Sequence, residues 1–178
     1  EKALLISADD IPIYNNQHWN EIFPDGLIDL GLRHADPSTD LQKKQQESIY
    51  LIDQWCNQYE EKIRGMGGIG FFLGGIGPDG HIAFNIRGSD HNSTTRLMET
   101  NFETQAAAAT DLGGIEVSKN RLVITIGLGT ITYNEQATAI IIAAGEAKAP
   151  IVKMSLETGQ DVKYPATAVQ KLKNSRFY

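Results

Sequence analysis

One short glycine-rich stretch holds the residues whose types and spacing best suit them to chemistry. Residues 74–85 read GGIGPDGHIAFN, so Asp79 and His81 lie one residue apart on an expected turn. A histidine can take up and release protons at cellular pH, and a nearby carboxylate can orient its ring and stabilise its charged form. The pair therefore favours acid–base catalysis; the alternative is an ordinary turn aspartate beside a structural histidine.

The same stretch has the spacing of a dinucleotide-binding loop. Gly75, Gly77 and Gly80 spell G-x-G-x-x-G, a pattern that must open a helix at its third glycine to bind a pyrophosphate. Gly88 and several Ser, Asn and Thr residues follow at once and oppose a sustained helix, and Pro78 removes a backbone donor. The dinucleotide interpretation is therefore disfavoured, and we expect no cofactor.

Two adjacent carboxylates lie near the start of the chain. Asp9 and Asp10 follow an apolar run, and the repulsion between neighbouring carboxylates can raise the pKa of one of them and so produce a base. The alternative is that one caps the following turn and the other is solvated. Asn85 is expected either to hold its turn or to meet substrate hydroxyls.

One lysine stands at a predicted junction between a strand and a helix. Lys148 follows Gly145 by three residues, which pairs a cation with unpaired backbone N–H groups, as in many phosphate sites. A surface lysine is the alternative. The remaining histidines lack metal-ligand spacing, so we predict no metal site and place them on the surface: His18, His34 and His91.

The elements that must position these residues alternate between strand and helix. Continuous apolar runs predict buried strands over residues 3–7, 69–73, 121–127 and 138–144. Helices are predicted near residues 17–23, from the capping box at 39–42 to Gly65, from a second capping box at 100–103 through an alanine-rich segment, and over 146–157. This order predicts a single α/β domain over residues 1–178, with a mostly parallel sheet and helices on both faces.

Composition excludes several classes of protein. The net charge of −6 with scattered basic residues disfavours nucleic-acid binding, and no apolar run approaches the length of a membrane-spanning helix. The single cysteine, Cys56, excludes an internal disulfide and fits a reducing cytoplasm. Because the chain opens almost directly on an expected strand and stops without an evident closing element, we expect it to be part of a larger fold.

Several motifs together resemble one enzyme family. GGIGPDGHIAFN, with QYEEKIR at 58–64 and Thr94-Thr95-Arg96, closely resembles glucosamine-6-phosphate deaminase, also called glucosamine-6-phosphate isomerase. GLGT at 127–130 and GEAKA at 145–149 extend the likeness over about residues 55–157. The resemblance implies a three-layer α/β/α Rossmann-like fold, shared with ribose-5-phosphate isomerase and 6-phosphogluconolactonase. It also implies conversion of glucosamine 6-phosphate and water into fructose 6-phosphate and ammonia, without metal or nucleotide.

The resemblance also implies roles for individual residues. His81, assisted by Asp79, moves a proton during opening of the sugar ring, and an early aspartate abstracts the C2 proton. Spacing to QYEEKIR favours Asp10 for that base, and the x-D-D pattern favours Asp9. Lys148 matches the family's phosphate-binding lysine. Gly75, Gly77, Gly80 and Asn85 are predicted to line the substrate site.

This chain departs from the family pattern at three places. Ile86 stands where the family has a glutamate, and Thr110 lies near the position of its phosphate-binding arginine. The family's N-terminal phosphate loop would precede residue 1. The leading hypothesis is therefore a deaminase-type enzyme acting on a phosphorylated amino sugar. The alternatives are a catalytically impaired sugar-phosphate-binding domain and a 6-phosphogluconolactonase-like hydrolase; a homo-oligomer is one alternative for its assembly.

Overall fold

The computed structural model describes residues 4–100 and 122–178. The chain divides into two compact units, Glu1–Gln58 and Tyr59–Tyr178. A single domain over the whole chain stays a prediction. Among the described residues, no helix combines the length and the apolar character needed to cross a membrane.

The first unit is built from short helical turns and most of one long helix. Its described elements are the 3-10 helices Ala8–Asp10, Tyr14–Asn16 and Leu30–Arg33, the helix α1 (Trp19–Ile22), and α2 (Asp40–Gly65), which continues into the second unit. The strand predicted over residues 3–7 is wrong for residues 4–7, which have no regular secondary structure. Leu5 is 75% exposed there, and among the described residues no strand pairs with this run.

The long helix begins as its capping residues predict. The Thr39 hydroxyl accepts the Gln42 N–H at 3.1 Å, and the Gln42 side chain in turn accepts the Ser38 N–H at 2.8 Å. The return bond therefore reaches one residue further back than in a regular capping box. Along the helix the apolar stripe is buried at Ile49, Ile52, Cys56 and Ile63.

The second unit contains a three-stranded parallel sheet in the order β1-β4-β5. Its strands are β1 (Phe71–Gly75), β4 (Thr138–Ile142) and β5 (Asn174–Phe177), with Leu73 opposite Ile140 in the first pair. The helix α4 (Ala149–Glu157) follows β4, with Pro150 in its first turn as predicted. The α/β class with a mostly parallel sheet is confirmed.

The core of this unit lies on one face of the sheet. Residues of β1 and β4 pack there with side chains from the turn after β1, from α4 and from the 3-10 helix Pro165–Lys171, including Phe72, Ile76, Ala139, Ile141, Ile151 and Val169. Phe71 and Leu73 point to the opposite face, where each is 58% exposed. The continuous apolar sequence predicted that both faces of this strand are buried. Because alternate residues of a strand face opposite sides, the side that carries Phe71 and Leu73 is instead exposed.

A two-stranded antiparallel sheet is formed by residues that lie between β1 and β4 in the chain. β2 (Arg96–Glu99) pairs with β3 (Leu122–Thr125), and α3 (Leu128–Thr132) follows. The strand predicted over 121–127 is therefore present, although its partner runs antiparallel. The second capping box and its alanine-rich helix lie largely outside the described residues.

Candidate active site

A tight turn follows the carboxyl end of β1. The Ile76 N–H continues the ladder by bonding the Ile142 carbonyl at 3.2 Å, and Ile76 and Ile82 then form a bridge across the turn. The Gly77 N–H donates to the His81 carbonyl at 2.9 Å. Because both isoleucines are almost completely buried, the turn is anchored in the core.

The turn brings Asp79 and His81 into direct contact. Asp79 Oδ1 lies 2.6 Å from His81 Nδ1, with 2% of the aspartate side chain and 14% of the histidine side chain exposed. The backbone N–H groups of His81 and Arg87 donate to the two carboxylate oxygens at 3.3 and 3.4 Å. With Nδ1 directed at the carboxylate, proton exchange with a bound molecule would use Nε2.

Two glycines shape this turn. A Cβ on Gly77 would lie 1.9 Å from Cε1 of the His81 ring, so the ring occupies space that only glycine leaves. Gly80 has a φ of +85°, and a Cβ there would meet Ile151 at 3.1 Å. The N–H groups of Gly77 and Gly80 both bond within the turn. Substrate contact by Gly75, Gly77 and Gly80 stays a prediction.

Asn85 is fully buried and its side chain is bonded on both sides. Its amide nitrogen donates to the carbonyls of Ile82 at 3.0 Å and Ile126 at 2.8 Å. Its amide oxygen accepts from Arg96 Nη1 at 2.9 Å. The structure thus places Asn85 as the residue that holds the turn, and its contact with substrate hydroxyls stays a prediction.

The lysine predicted to bind phosphate lies at this same turn. Gly145, with a φ of +87°, opens the 3-10 helix Glu146–Lys148 after β4. From there the half-buried Lys148 donates from Nζ to the Ile76 carbonyl, next to Gly77. Neighbouring parallel strands end at the same edge of a sheet, which is why two distant stretches of sequence meet here.

The GLGT segment serves close packing of backbone. A Cβ on Gly127 would lie 2.0 Å from the Ser93 carbonyl oxygen, and one on Gly129 would lie 2.6 Å from that of Asn92. Any side chain at either position would therefore push the two segments apart.

A buried glutamate that the sequence did not single out, Glu60, accepts hydrogen bonds from Thr95 and from Thr130 of the GLGT segment. Glu60 Oε2 accepts from the Thr130 hydroxyl at 2.8 Å and from both the hydroxyl and the N–H of Thr95, at 3.2 and 3.3 Å. Its Oε1 accepts from Arg64 Nε at 3.2 Å, and that guanidinium lies 4.9 Å from the Tyr133 ring centroid. Its place on the apolar side of α2, between Cys56 and Ile63, was the available signal.

One histidine predicted to be a surface group is buried. His91 is 8% exposed, and its Nε2 lies 3.5 Å from the Thr167 hydroxyl. Burial lowers the pKa of His91, and the positive charge of Lys171 lowers it further, against smaller opposing effects of Asp161 and Asp90. The surface prediction is therefore wrong for His91, because its side chain packs against Thr167 while its neighbours Asp90 and Asn92 stay exposed.

Asp9 and Asp10 lie in the first unit, in the 3-10 helix Ala8–Asp10, and both are exposed. The Asp9 N–H donates to the Ser7 hydroxyl at 3.3 Å, and the Asp10 N–H donates to the Ser7 carbonyl at 3.2 Å. The expected strand before them is absent over residues 4–7. Their catalytic role stays a prediction, as does the significance of Thr110, which lies outside the described residues.

Comparison with known proteins shows what this chain is similar to. No family model matches the sequence. The chain is 41% identical over 122 residues to a glucosamine-6-phosphate deaminase of Borreliella burgdorferi (strain ZS7), covering 67% of this chain and 44% of that protein. It is 33% identical over 160 residues to glucosamine-6-phosphate deaminase 2 of Bos taurus, covering 89% and 53%. Over the matched residues, this chain is similar to glucosamine-6-phosphate deaminases.

A solved structure shows the same likeness. A monomeric glucosamine-6-phosphate deaminase, described as a missing link of the NagB superfamily, matches with a TM-score of 0.64 and 28% identity, over 71% of this chain and 51% of that one. The family fold predicted from the motifs is thereby confirmed. The chain spans about half the length of the curated relatives it matches.

Proposed function

We propose that the turn holding Asp79 and His81 performs acid–base catalysis in a glucosamine-6-phosphate deaminase-type isomerase. Such an enzyme converts glucosamine 6-phosphate and water into fructose 6-phosphate and ammonia. The observation that supports it most is the 2.6 Å contact between the buried Asp79 carboxylate and the partly exposed His81 ring. A carboxylate on Nδ1 fixes the orientation of the ring and leaves Nε2 for proton exchange with a bound molecule, as a proton-transfer catalyst requires. The relatives' names supply the substrate.

In the proposed reaction His81 moves the proton that accompanies opening of the sugar ring. A second base removes the proton from C2 and leaves an enolamine, and return of a proton to C1 gives the imine of fructose 6-phosphate. Water then adds to the imine carbon, and the C–N bond breaks to release ammonia. Asp9 or Asp10 is the proposed C2 base, and Lys148 is the proposed phosphate ligand because its ammonium reaches the turn that carries His81.

The direct test is release of both products by the full-length protein. Ammonia and fructose 6-phosphate should form in equal amounts from glucosamine 6-phosphate, and His81→Ala should lower the rate by about 100-fold or more. His34→Ala, at an exposed histidine of the first unit, is the control and should behave like the parent. A parent rate no higher than that of His81→Ala would refute the proposal.

The two candidate C2 bases can be separated by isotope exchange. In deuterated water the enolamine takes up deuterium, so a variant lacking the base should stop exchange while still binding substrate. We compare Asp9→Asn with Asp10→Asn; loss of exchange in one of them identifies the base. Normal exchange in both would exclude this segment from the chemistry.

A second candidate function rests on Ile86. An isoleucine stands where the family has a glutamate, and it immediately precedes Arg87, whose N–H donates to Asp79. The loss of an ionisable group beside the pair favours a catalytically impaired sugar-phosphate-binding domain. Substrate binding without turnover, together with turnover gained by Ile86→Glu, would establish that function. Hydrolysis of a phosphorylated sugar lactone would instead support the lactonase alternative.

We propose a cytoplasmic location for the reaction, because a single buried cysteine fits a reducing compartment. Self-association into a homo-oligomer is a further proposal, and light scattering of the full-length protein would decide it. Fractionation that places the protein outside the cytoplasm would overturn the first of these.

A further inference from the structure

Arg96, at the start of β2, is a half-buried cation whose hydrogen bonds connect it to the turn that carries Asp79 and His81. Its Nη1 donates to Asn85 Oδ1 at 2.9 Å and to the Thr94 carbonyl at 3.2 Å. Its Nη2 donates to the Ser89 hydroxyl at 3.2 Å. The guanidinium thus binds Asn85 and Ser89, which follow Asp79 and His81 in the chain.

The residues between Arg96 and His81 form an unbroken set of contacts. Arg96 holds the oxygen of Asn85, and the nitrogen of Asn85 holds the carbonyl of Ile82 at 3.0 Å. Ile82 is the neighbour of His81 and bridges to Ile76 at the end of β1. A change in Arg96 therefore reaches the imidazole through one amide side chain and one peptide.

The surroundings of the Arg96 guanidinium bear on what it contributes. Burial lowers the pKa of the Arg96 guanidinium, and Asp90 only partly compensates. The three oxygens that accept from it, those of Asn85, Thr94 and Ser89, are neutral, so the guanidinium contributes direction more than ion pairing. A guanidinium supplies several donors in a fixed planar arrangement, which suits it to locking a turn.

We infer that Arg96 is a positioning residue that, through Asn85, holds the 81–85 turn so that His81 keeps its short hydrogen bond to Asp79. This inference rests on the proposed function for its kinetic consequence, because only an enzyme has a rate to lose. Its structural consequence does not depend on turnover. The two can therefore fail separately.

The test compares Arg96→Met with Arg96→Lys in the full-length protein, with Arg176→Met at an exposed arginine of β5 as the matched control. The first readout is the NMR signal of the His81 Nδ1 proton, assigned by its loss in His81→Gln. A proton in a 2.6 Å bond resonates far downfield. We expect Arg96→Met to lose or move this signal, Arg96→Lys to retain part of it and Arg176→Met to leave it unchanged.

The second readout is steady-state kinetics on glucosamine 6-phosphate. Misplacement of a catalytic group by about 1 Å costs up to about 100-fold, so we expect kcat of Arg96→Met to fall about 10- to 100-fold with KM within about threefold of the parent. Arg96→Lys should lie between them. If Arg96→Met does not fold, Arg96→Lys alone decides the inference by the same two readouts.

The possible results distinguish the inference from the proposed function. A folded Arg96→Met or Arg96→Lys with the parent's downfield signal would overturn the inference, whatever the activity. A parent protein without turnover would overturn the proposed function. An altered signal in the Arg96 variants would still support the positioning role of Arg96. Equal loss of signal in Arg176→Met would also overturn the inference, since the effect would then not be specific to Arg96.

Discussion

Two buried carboxylates of the second unit differ in the kind of group they bind. The side chains of Asp79 and Glu60 are 2% and 7% exposed. Asp79 bonds the imidazole of His81, whereas Glu60 bonds the hydroxyls of Thr95 and Thr130 and the guanidinium of Arg64. Burial alone therefore does not mark a catalytic acid, since the partner decides whether a proton can move.

The largest expected effect separates the two carboxylates by activity. Asp79→Asn should lower kcat by about 100- to 10,000-fold, because the imidazole of His81 loses the carboxylate that orients it. Glu60→Gln should lower kcat of the folded protein far less. Product release measured at saturating substrate checks both variants. Similar losses in the two would remove the distinction drawn here.

The next effect separates them by stability. Glu60→Ala leaves two hydroxyls without their acceptor and Arg64 without its carboxylate, and should lower the free energy of unfolding by about 2–4 kcal/mol. Glu60→Gln keeps an acceptor and should cost less. Urea denaturation at pH 7 measures both values. A Glu60→Ala protein as stable as the parent would show that the cluster contributes no net stability.

A smaller effect tests the space around the His81 ring. Gly77→Ala puts a methyl group where the His81 ring lies, so the ring must move and kcat should fall by at least about 10-fold. Gly70→Ala is the control, since a Cβ there meets no atom within 4 Å. Crystal structures or His81 chemical shifts would report the displacement. Full activity in Gly77→Ala would mean that the ring position is not critical.

The smallest effect concerns a histidine outside the pair. The pKa of His91 is lowered in the folded protein, so below about pH 6.5 the unfolded chain binds more protons than the folded one. The stability that the uncharged His91 side chain gives the folded protein is complete above about pH 6.5. It is lost as the pH falls through the lower pKa that His91 has in the folded state. His91→Asn should flatten this dependence in thermal melts, while His34→Asn, at an exposed site, should retain it. An unchanged slope in His91→Asn would contradict the assignment.

Local sequence predicted the elements that depend on neighbouring residues. The Thr39–Gln42 capping box and the apolar stripe identified α2, the run at 138–144 identified β4, and Pro150 marked the first turn of α4. Each of these signals acts within a few residues along the chain. Elements that depend on a distant partner were not predicted in the same way: β2 and β5 were missed, and residues 4–7 were wrongly expected to form a strand.

The candidate site divides along the same line. The sequence by itself determined that Asp79 and His81 share a turn, because residues separated by a single glycine must lie near each other. Its motifs also indicated the relatives of the chain. Only the tertiary structure decided that Lys148 reaches Ile76, that Arg96 clasps Asn85 and that Glu60 joins Thr95 to Thr130. These contacts join residues 11 to 72 positions apart, so packing creates them and no local pattern encodes them.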